Sequence, residues 1–387
     1  MFKIKCLNPI SKIGLDHFTE NYCLTDDLNE ADAVLVRSTP MHDLKFPNTL
    51  KAIARAGAGV NNIPLERCSE EGIVVFNTPG ANANGVKELV MASLFLASRD
   101  IIGGVNWVKS IKDDPDLIKL VEKNKAKFAG IEVIRRNLAV IGLGAVGVQV
   151  ANAAVKLGME VYGYDPYISV RSAWNLSKHI KPCSSLEEIL GVGDFLTIHV
   201  PLAKNTREML NEKTFAMMKD GIRILNFSRD SLVNEDDLIK ALKSGKVSKY
   251  ITDFPTPKIV SLDNVIAIPH LGASTCESEE NCAVMAVNQL MNFLENGAIC
   301  NSVNYPDCDN GYCDAVGRVA VYHRNIPKMI SQFTTAFAEA QINISDMINK
   351  SKGQYAYTLL DIDTPATTEM VHNIEQIEGV LRVRVIK

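Results

Sequence analysis

NLAVIGLGAVGVQVANAAVKLGMEVYGYDP, residues Asn137 to Pro166, decides the fold. Leu138 to Ile141 form a short continuous apolar run, the pattern of a parallel strand covered on both faces. Gly142, Gly144 and Gly147 follow in the G-x-G-x-x-G spacing, then a helical run from Ala145 to Leu157 closed by Gly158. A second apolar strand, Glu160 to Tyr164, ends in Asp165. Gly142 permits a tight turn, Gly144 lets backbone approach a pyrophosphate, and Gly147 lets the helix pack on the strand. The helix start, at Ala145 and Val146, offers free N–H groups and the positive end of a dipole to phosphates. Asp165 lies about 20 residues beyond the glycines, where a carboxylate takes the adenosine ribose hydroxyls and repels an added 2′-phosphate. The unit predicts an NAD site.

Outward from it, further strands end at Pro201, at Phe227, near Asp253 and at Pro269, with helical patterns between the earlier ones, such as Asn234 to Leu242. That completes a doubly wound Rossmann sheet, placed at residues 91–274. Before it, Lys3–Leu7, Ala33–Val36, Lys51–Ala54 and Ile73–Phe76 are short apolar strands alternating with polar helices. They predict a smaller α/β domain with a parallel sheet over residues 1–90. A long helix, roughly Ser274 to Asn296, packs back on that domain in this reading, so residues 275–300 complete it and the nucleotide domain is an insertion. A cleft between the two is the default ligand site. Residues 301–316 (NSVNYPDCDNGYCDAV) are polar with Pro and Gly and read as a linker. The remainder, 317–387, runs βαββαβ, a ferredoxin-like unit.

Bulk properties exclude some partners. A net charge of −4 and a pI near 6.0 argue against general affinity for nucleic acid or an anionic membrane. Hydrophobic content of 47% and charged content of 22% suit a soluble globular chain, and 387 residues suffice for two or three cores. Nine scattered cysteines with no C-x-x-C pair suit a reducing cytosol and no structural metal; Cys308 and Cys313 have no matching Cys/His pair nearby. The N-terminus shows no signal peptide and the most apolar run, Leu89 to Ala97, is too short to span a bilayer. The expectation is a cytoplasmic protein.

Chemistry should sit at strand ends. Arg229 directly follows a buried strand and can grip a carboxylate bidentately. His270 follows another, and its near-neutral pKa suits it to take the proton from a hydroxyl as a hydride leaves the same carbon. Arg37-Ser38-Thr39 and the stretch Arg55 to Val60 lie just past strand ends of the first domain.

At this point the chain resembles the D-2-hydroxyacid dehydrogenases. The matching stretches are Val36-Arg-Ser-Thr, Arg55-Ala-Gly-Ala-Gly-Val-Asn-Asn, Asn77-Thr-Pro, Val86-Lys-Glu-Leu, the glycine fingerprint, His199-Val-Pro-Leu, Asn226-Phe-Ser-Arg229 and Pro269-His270-Leu-Gly-Ala-Ser, in the family's order. The similarity is greatest to the short form that acts on 3-phospho-D-glycerate and ends in an ACT domain. The resemblance implies a flavodoxin-like substrate domain and catalytic roles for Arg229 and His270. It implies that the Gly59 and Val60 backbone holds the substrate carboxylate, while Arg37, Ser38 and Arg55 face its phosphate. It also assigns His199, Pro201, Thr206, Phe227, Ser228 and Asp253 to the NAD site. In the C-terminal unit, the resemblance matches His323, Asn325 and Asn343 to effector positions for an amino acid, serine, held between subunits; a purely dimerising module is the equal alternative. A homodimer or homotetramer is implied.

One departure stands out. The family has Asp-Val-Phe-x-x-Glu-Pro after the strand near residue 250, and its Glu pairs with the catalytic His. Here the chain reads Thr252-Asp253-Phe254-Pro255-Thr256-Pro257, with Pro257 in the Glu position and Asp253 one residue out of register. A carboxylate partner raises an imidazole pKa, so its loss predicts an acid limb of activity at low pH. Asp230 stands where relatives often have Gly. Two other readings follow from the same residues: a dehydrogenase for an unphosphorylated hydroxy acid, and an NAD-sensing binding protein that has lost turnover.

Overall fold

The computed structural model describes all of residues 1–387, and three sheets carry it. The first contains β1 (Phe2–Cys6), β2 (Tyr22–Thr25), β3 (Ala33–Val36), β4 (Ala52–Arg55) and β5 (Val74–Phe76), all parallel, in the order β2-β1-β3-β4-β5. This is the flavodoxin-like doubly wound order. Every residue of β3 is buried, which is why its sequence is a continuous apolar run. Four of these strands carry the short apolar runs of the sequence; β2 is the addition. It is an edge strand, and with Leu24 more than half exposed it carries no continuous apolar signature.

The second sheet contains β6 (Asn137–Ile141), β7 (Glu160–Tyr164), β8 (Lys181–Pro182), β9 (Phe195–Ile198), β10 (Ile222–Asn226), β11 (Val247–Thr252) and β12 (Val265–Ala267). Its order is β12-β11-β10-β9-β6-β7-β8, parallel throughout. The chain winds one way from β6 to β8, then crosses to β9 and winds the other way. The switch point therefore lies at the carboxyl ends of β6 and β9, where such sheets hold ligands. The two-residue β8 was not foreseen, since two exposed residues leave no pattern to read.

The third sheet is antiparallel: β13 (Gly317–Arg324), β14 (Ile344–Lys352), β15 (Tyr355–Ile362) and β16 (Val380–Val385), ordered β14-β15-β13-β16. With helices Met329–Glu339 and Thr368–Glu375 in the connections, this is the ferredoxin-like split βαβ arrangement. Alternate residues face opposite ways. Val319, Val321, Leu360 and Ile362 pack under the two helices. Ala320, Tyr322, Tyr357 and Leu359 enter a core shared with Ile4, Leu35 and Phe76 of the first sheet and Phe293 of the helix Cys276–Asn296.

Accordingly, Met1–Asn82 and Cys276–Lys387 form one unit and Ala83–Thr275 a second; the cut falls ahead of the helix Ala83–Ser98. Residues 301–316 are not a solvated linker throughout: 302 and 304–306 are buried. Val303 N–H donates to the Val75 carbonyl at 2.9 Å, and Tyr305, Cys308 and Cys313 are buried. Ser302, Asn304 and Tyr305 are used inward, whereas Asn301, Asp307, Asp309, Tyr312 and Asp314 are exposed. Asn304 accepts from Val75 N–H at 2.8 Å and donates to the Ile73 carbonyl at 2.9 Å, while Tyr305 Oη donates to the Ser69 carbonyl at 2.6 Å. In the segment 302–305, polar composition therefore marks internal hydrogen bonding, not exposure. No helix of the protein is long and apolar enough to cross a membrane.

Candidate active site

In the unit Ala83–Thr275, the glycine loop joins β6 to the helix Ala145–Lys156. Gly142 has φ +90°, and a Cβ there would stand 2.5 Å from the His199 carbonyl oxygen. A Cβ at Gly147 would stand 1.9 Å from the Gly142 carbonyl oxygen, so helix and loop meet with no room for a side chain. Around Gly144 nothing lies within 4 Å of that position, and no side chain caps the helix that begins at Ala145. The result is an open approach onto uncapped N–H groups, including that of Val146, and it fits a pyrophosphate. Asp165 holds the edge of this cradle: Oδ2 accepts from Leu143 N–H and Oδ1 from Tyr167 N–H, both at 2.8 Å. Each oxygen keeps a lone pair for a ribose hydroxyl. The residues present therefore fit NAD.

Across the switch point, His199 N–H continues the ladder to the Ile141 carbonyl at 2.7 Å, and its Nε2 lies 2.9 Å from Thr197 Oγ1. Desolvation pushes its pKa down to about 3, so the ring is neutral. Thr206 shapes the turn after Pro201: its hydroxyl donates to the Pro201 carbonyl at 2.7 Å and accepts from Ala203 N–H at 2.8 Å. Phe227 is buried, and Ser228 Oγ donates to the Ile198 carbonyl at 2.7 Å, tying the end of β10 to β9.

Two further residues emerge from strand ends. Arg229 follows β10; its carbonyl accepts from Asn226 Nδ2 at 2.8 Å, which turns the backbone sharply and leaves the guanidinium outside. His270 lies beyond β12, and its N–H donates to the Asp253 carbonyl at 3.0 Å. Both side chains reach the same ring. Phe254 and His270 have centroids 4.7 Å apart at 50°, and the Arg229 guanidinium carbon is 5.8 Å from the Phe254 centroid. Asp253, buried just behind, accepts from Gly272 N–H at 3.0 Å through Oδ2, while its Oδ1 has no partner. Burial pushes this carboxyl above the usual range, against the opposing pull of the Gly272 N–H and of the His270 and Arg229 charges. Pro257 offers His270 no acid, and Asp253 turns to Gly272 instead.

In the other unit, Asn8 gathers the loop after β3. Its Oδ1 accepts from the N–H groups of Arg37, Ser38 and Thr39 at 2.9, 3.1 and 3.2 Å. The Arg37 guanidinium pairs with Glu279 at the start of the helix Cys276–Asn296. Arg55 Nε donates to the Arg37 carbonyl at 2.9 Å, and its guanidinium also reaches the Gly59 carbonyl. This draws Arg37, Ser38, Arg55 and the Gly59-Val60 segment into one loop cluster, steadied by Asn77 Nδ2 donating to the Ala58 carbonyl at 2.6 Å. Asn8, Glu279 and Phe254 were missed from sequence. Asn8 and Phe254 lie two residues past the ends of β1 and β11, a placement that could have flagged them; Glu279 carries no signal beyond its charge.

The three C-terminal residues do not come together. β13 pairs antiparallel with β15 such that His323 faces Ala356, whereas Asn343 precedes Ile344, which faces Ile362 at the far end of β15. His323 is buried with both ring nitrogens engaged: Nδ1–H donates to the Arg324 carbonyl at 2.8 Å and Nε2 lies 2.9 Å from Thr358 Oγ1. Burial pushes its pKa below the ordinary imidazole value. Asn325 is exposed, with Nδ2 donating to the Gly353 carbonyl at 3.1 Å.

This geometry has close counterparts. Residues 91–272 match the model of the D-isomer specific 2-hydroxyacid dehydrogenase NAD binding domain. The chain is 30% identical over 342 residues to the D-3-phosphoglycerate dehydrogenase of Haemophilus influenzae, covering 85% of this chain and 79% of that one. It is 31% identical over 354 residues to the D-3-phosphoglycerate dehydrogenase of Methanocaldococcus jannaschii, covering 89% of this chain but only 64% of that longer protein. Among solved structures, the NAD+-bound 3-phosphoglycerate dehydrogenase of Entamoeba histolytica superposes with a TM-score of 0.62 at 26% identity, over 78% of this chain and 98% of that one. A strand order, a glycine cradle and a histidine–arginine pair that could each arise separately occur here together in a chain with such relatives, and the chain belongs to the D-2-hydroxyacid dehydrogenase family.

Proposed function

We propose that the protein oxidises 3-phospho-D-glycerate to 3-phosphohydroxypyruvate with NAD, the entry reaction of serine synthesis. The observation that carries this is the convergence of Arg229 and His270 on one ring in the unit that also holds the glycine cradle. The glycine cradle and Asp165 would hold NAD, which would supply the hydride acceptor for C2 of the substrate. His270 takes the C2 hydroxyl proton on a ring nitrogen as that bond to hydrogen breaks. Arg229 grips the carboxylate and steadies the oxygen that becomes the ketone. Asp165 selects NAD over its 2′-phosphorylated form. Gly59 and Val60 N–H groups receive the carboxylate, and Arg37 with Ser38 and Arg55 receives the phosphate. Glu279 must then release Arg37, which gives that arginine a built-in competitor for anions.

The test is NAD reduction measured over phosphorylated and plain D-2-hydroxy acids. Turnover confined to 3-phospho-D-glycerate supports the reading; preference for an unphosphorylated acid replaces it with a sister dehydrogenase. Tight NAD binding without turnover on any acid would leave an NAD-sensing protein.

For the C-terminal sheet we propose an ACT-type role in a homodimer or homotetramer, with serine as effector. The ferredoxin-like order and the edge position of β14 favour it. Because Asn343 lies at the opposite end from His323 and Asn325, a site using all three takes Asn343 from a second copy. Calorimetry with serine that shows no heat, and unchanged activity, reduces the unit to an assembly role.

A further inference from the structure

We propose that Phe254 is a positioning residue that holds His270 and Arg229 in working geometry, replacing the carboxylate that Pro257 removes. This rests on the dehydrogenase reading above.

The local chain explains how the ring gets there. β11 ends at Thr252, whose Oγ1 accepts from Phe254 N–H at 3.0 Å. Asp253 turns inward and is buried, so the next side chain faces the other way, toward His270 and Arg229. His270 is brought against it by the backbone hydrogen bond to the Asp253 carbonyl. The imidazole contact at 4.7 Å lies within the range of favourable aromatic pairs, and the guanidinium at 5.8 Å lies within cation–π reach.

A bulky apolar residue is ordinarily a piece of core. Phe254 is not: it is half-buried and packs in neither apolar core of its unit. Its ring contacts are with the two groups assigned to the chemistry. An aromatic ring also differs from a carboxylate in what it asks of histidine. A carboxylate favours the imidazolium strongly. A ring accepts neutral imidazole edge-on and a cation on its face. Phe254 can therefore fix the orientation of His270 through both protonation states of the proton transfer.

The experiment compares wild type, Phe254→Leu and Phe254→Tyr by steady-state kinetics, thermal melting, NAD binding and NMR of 13C-labelled histidine. With seven histidines in the chain, the His270 signal can be assigned from His270→Gln. In wild type the His270 ring protons are expected away from their ordinary shift, moved by the Phe254 ring current. Phe254→Leu should abolish that displacement and lower kcat by about 10- to 100-fold, the order that misplacement of a reacting group costs. KM should move less, and Tm and NAD affinity should hold. Phe254→Tyr should recover most of both losses. A wild-type His270 signal at its ordinary position, or Phe254→Leu with wild-type kcat in an active enzyme, overturns the placement of Phe254. A wild type inert on every hydroxy acid overturns the dehydrogenase reading itself, which keeps the two failures apart.

Discussion

Asp253 is the residue most at odds with ordinary folding economy. Its carboxylate is buried with one oxygen hydrogen-bonded and the other without a partner. A buried unpaired polar atom in a native protein calls for an explanation, and on a carboxylate the cost is highest. Here a cofactor amide would satisfy the orphan oxygen. Desolvation raises the folded-state pKa above the unfolded value of about 3.9. Below the unfolded value both states are protonated and burial carries no charge penalty. As pH rises through the folded pKa, the folded protein must hold a poorly solvated anion, and stability is lost. Asp253→Asn removes that penalty. Its melting temperature should exceed that of wild type near neutral pH, with the difference closing below about pH 4. NAD affinity should fall about tenfold, the worth of one hydrogen bond to a charged group. A melt–pH series on the two proteins, paired with NAD titration, checks both arms; equal melts at neutral pH would show that the anion is better solvated than its burial indicates.

At the scale of elements, the glycine loop separates two demands that the sequence motif merges. Gly147 answers to packing, since a Cβ would lie 1.9 Å from the Gly142 carbonyl. Gly144 answers to the ligand alone, since its surroundings are empty. Gly147→Ala should therefore destabilise the unit by about 1–3 kcal/mol, as overpacking does, and lose NAD with it. Gly144→Ala should melt like wild type yet bind NAD at least tenfold more weakly, by blocking the approach of a pyrophosphate to the backbone. Melting and fluorescence titration of the pair decide this, and equal destabilisation by both would refute the division. The same contrast shows what was legible beforehand. Continuous apolar runs mark β6 and β9 because burial on both faces leaves a signature in composition, whereas β7, buried on one face, is marked by its spacing after the glycines. Arg229 and His270 were legible because they sit at strand ends. β2 and β8 were not, being exposed edges. Neither was Phe254, whose role depends on which way Asp253 turns. The segment 302–305 misleads because polar atoms satisfied by distant backbone look, in sequence, like atoms satisfied by water.

At the scale of the molecule, the C-terminal sheet is bound into the unit that bears the Arg37 and Arg55 loops rather than appended to it. Tyr322, Tyr357 and Leu359 are buried in a core with Phe76 and Phe293. Burying each such side chain is worth roughly 1.5–3 kcal/mol. Polar ties run alongside. Arg382 donates to the Leu50 and Asn48 carbonyls at 2.6 and 2.8 Å. Arg384 donates to the Phe293 carbonyl at 3.0 Å and also reaches that of Leu294, and Arg318 donates to that of Asn296 at 3.1 Å. These last carbonyls lie at the C-terminal end of the helix Cys276–Asn296, where cations are favoured; that of Phe293 also accepts from Gly297 N–H at 2.9 Å. Arg318 is itself held by Asp361 at 2.5 and 2.7 Å, a buried pair whose loss of one member costs about 3–5 kcal/mol. Together these terms rival the roughly 5–15 kcal/mol net stability of a whole domain. A chain ending at residue 316 should therefore not be an unregulated enzyme. It should uncover the Phe76–Phe293 face, leave the helix end without its arginines, and either precipitate or melt without a cooperative transition. Soluble yield, near-ultraviolet circular dichroism and turnover of the truncated chain measure this. A sharp melt with wild-type turnover would mean that the sheet is a detachable module after all, and that the shared core contributes far less than its burial implies.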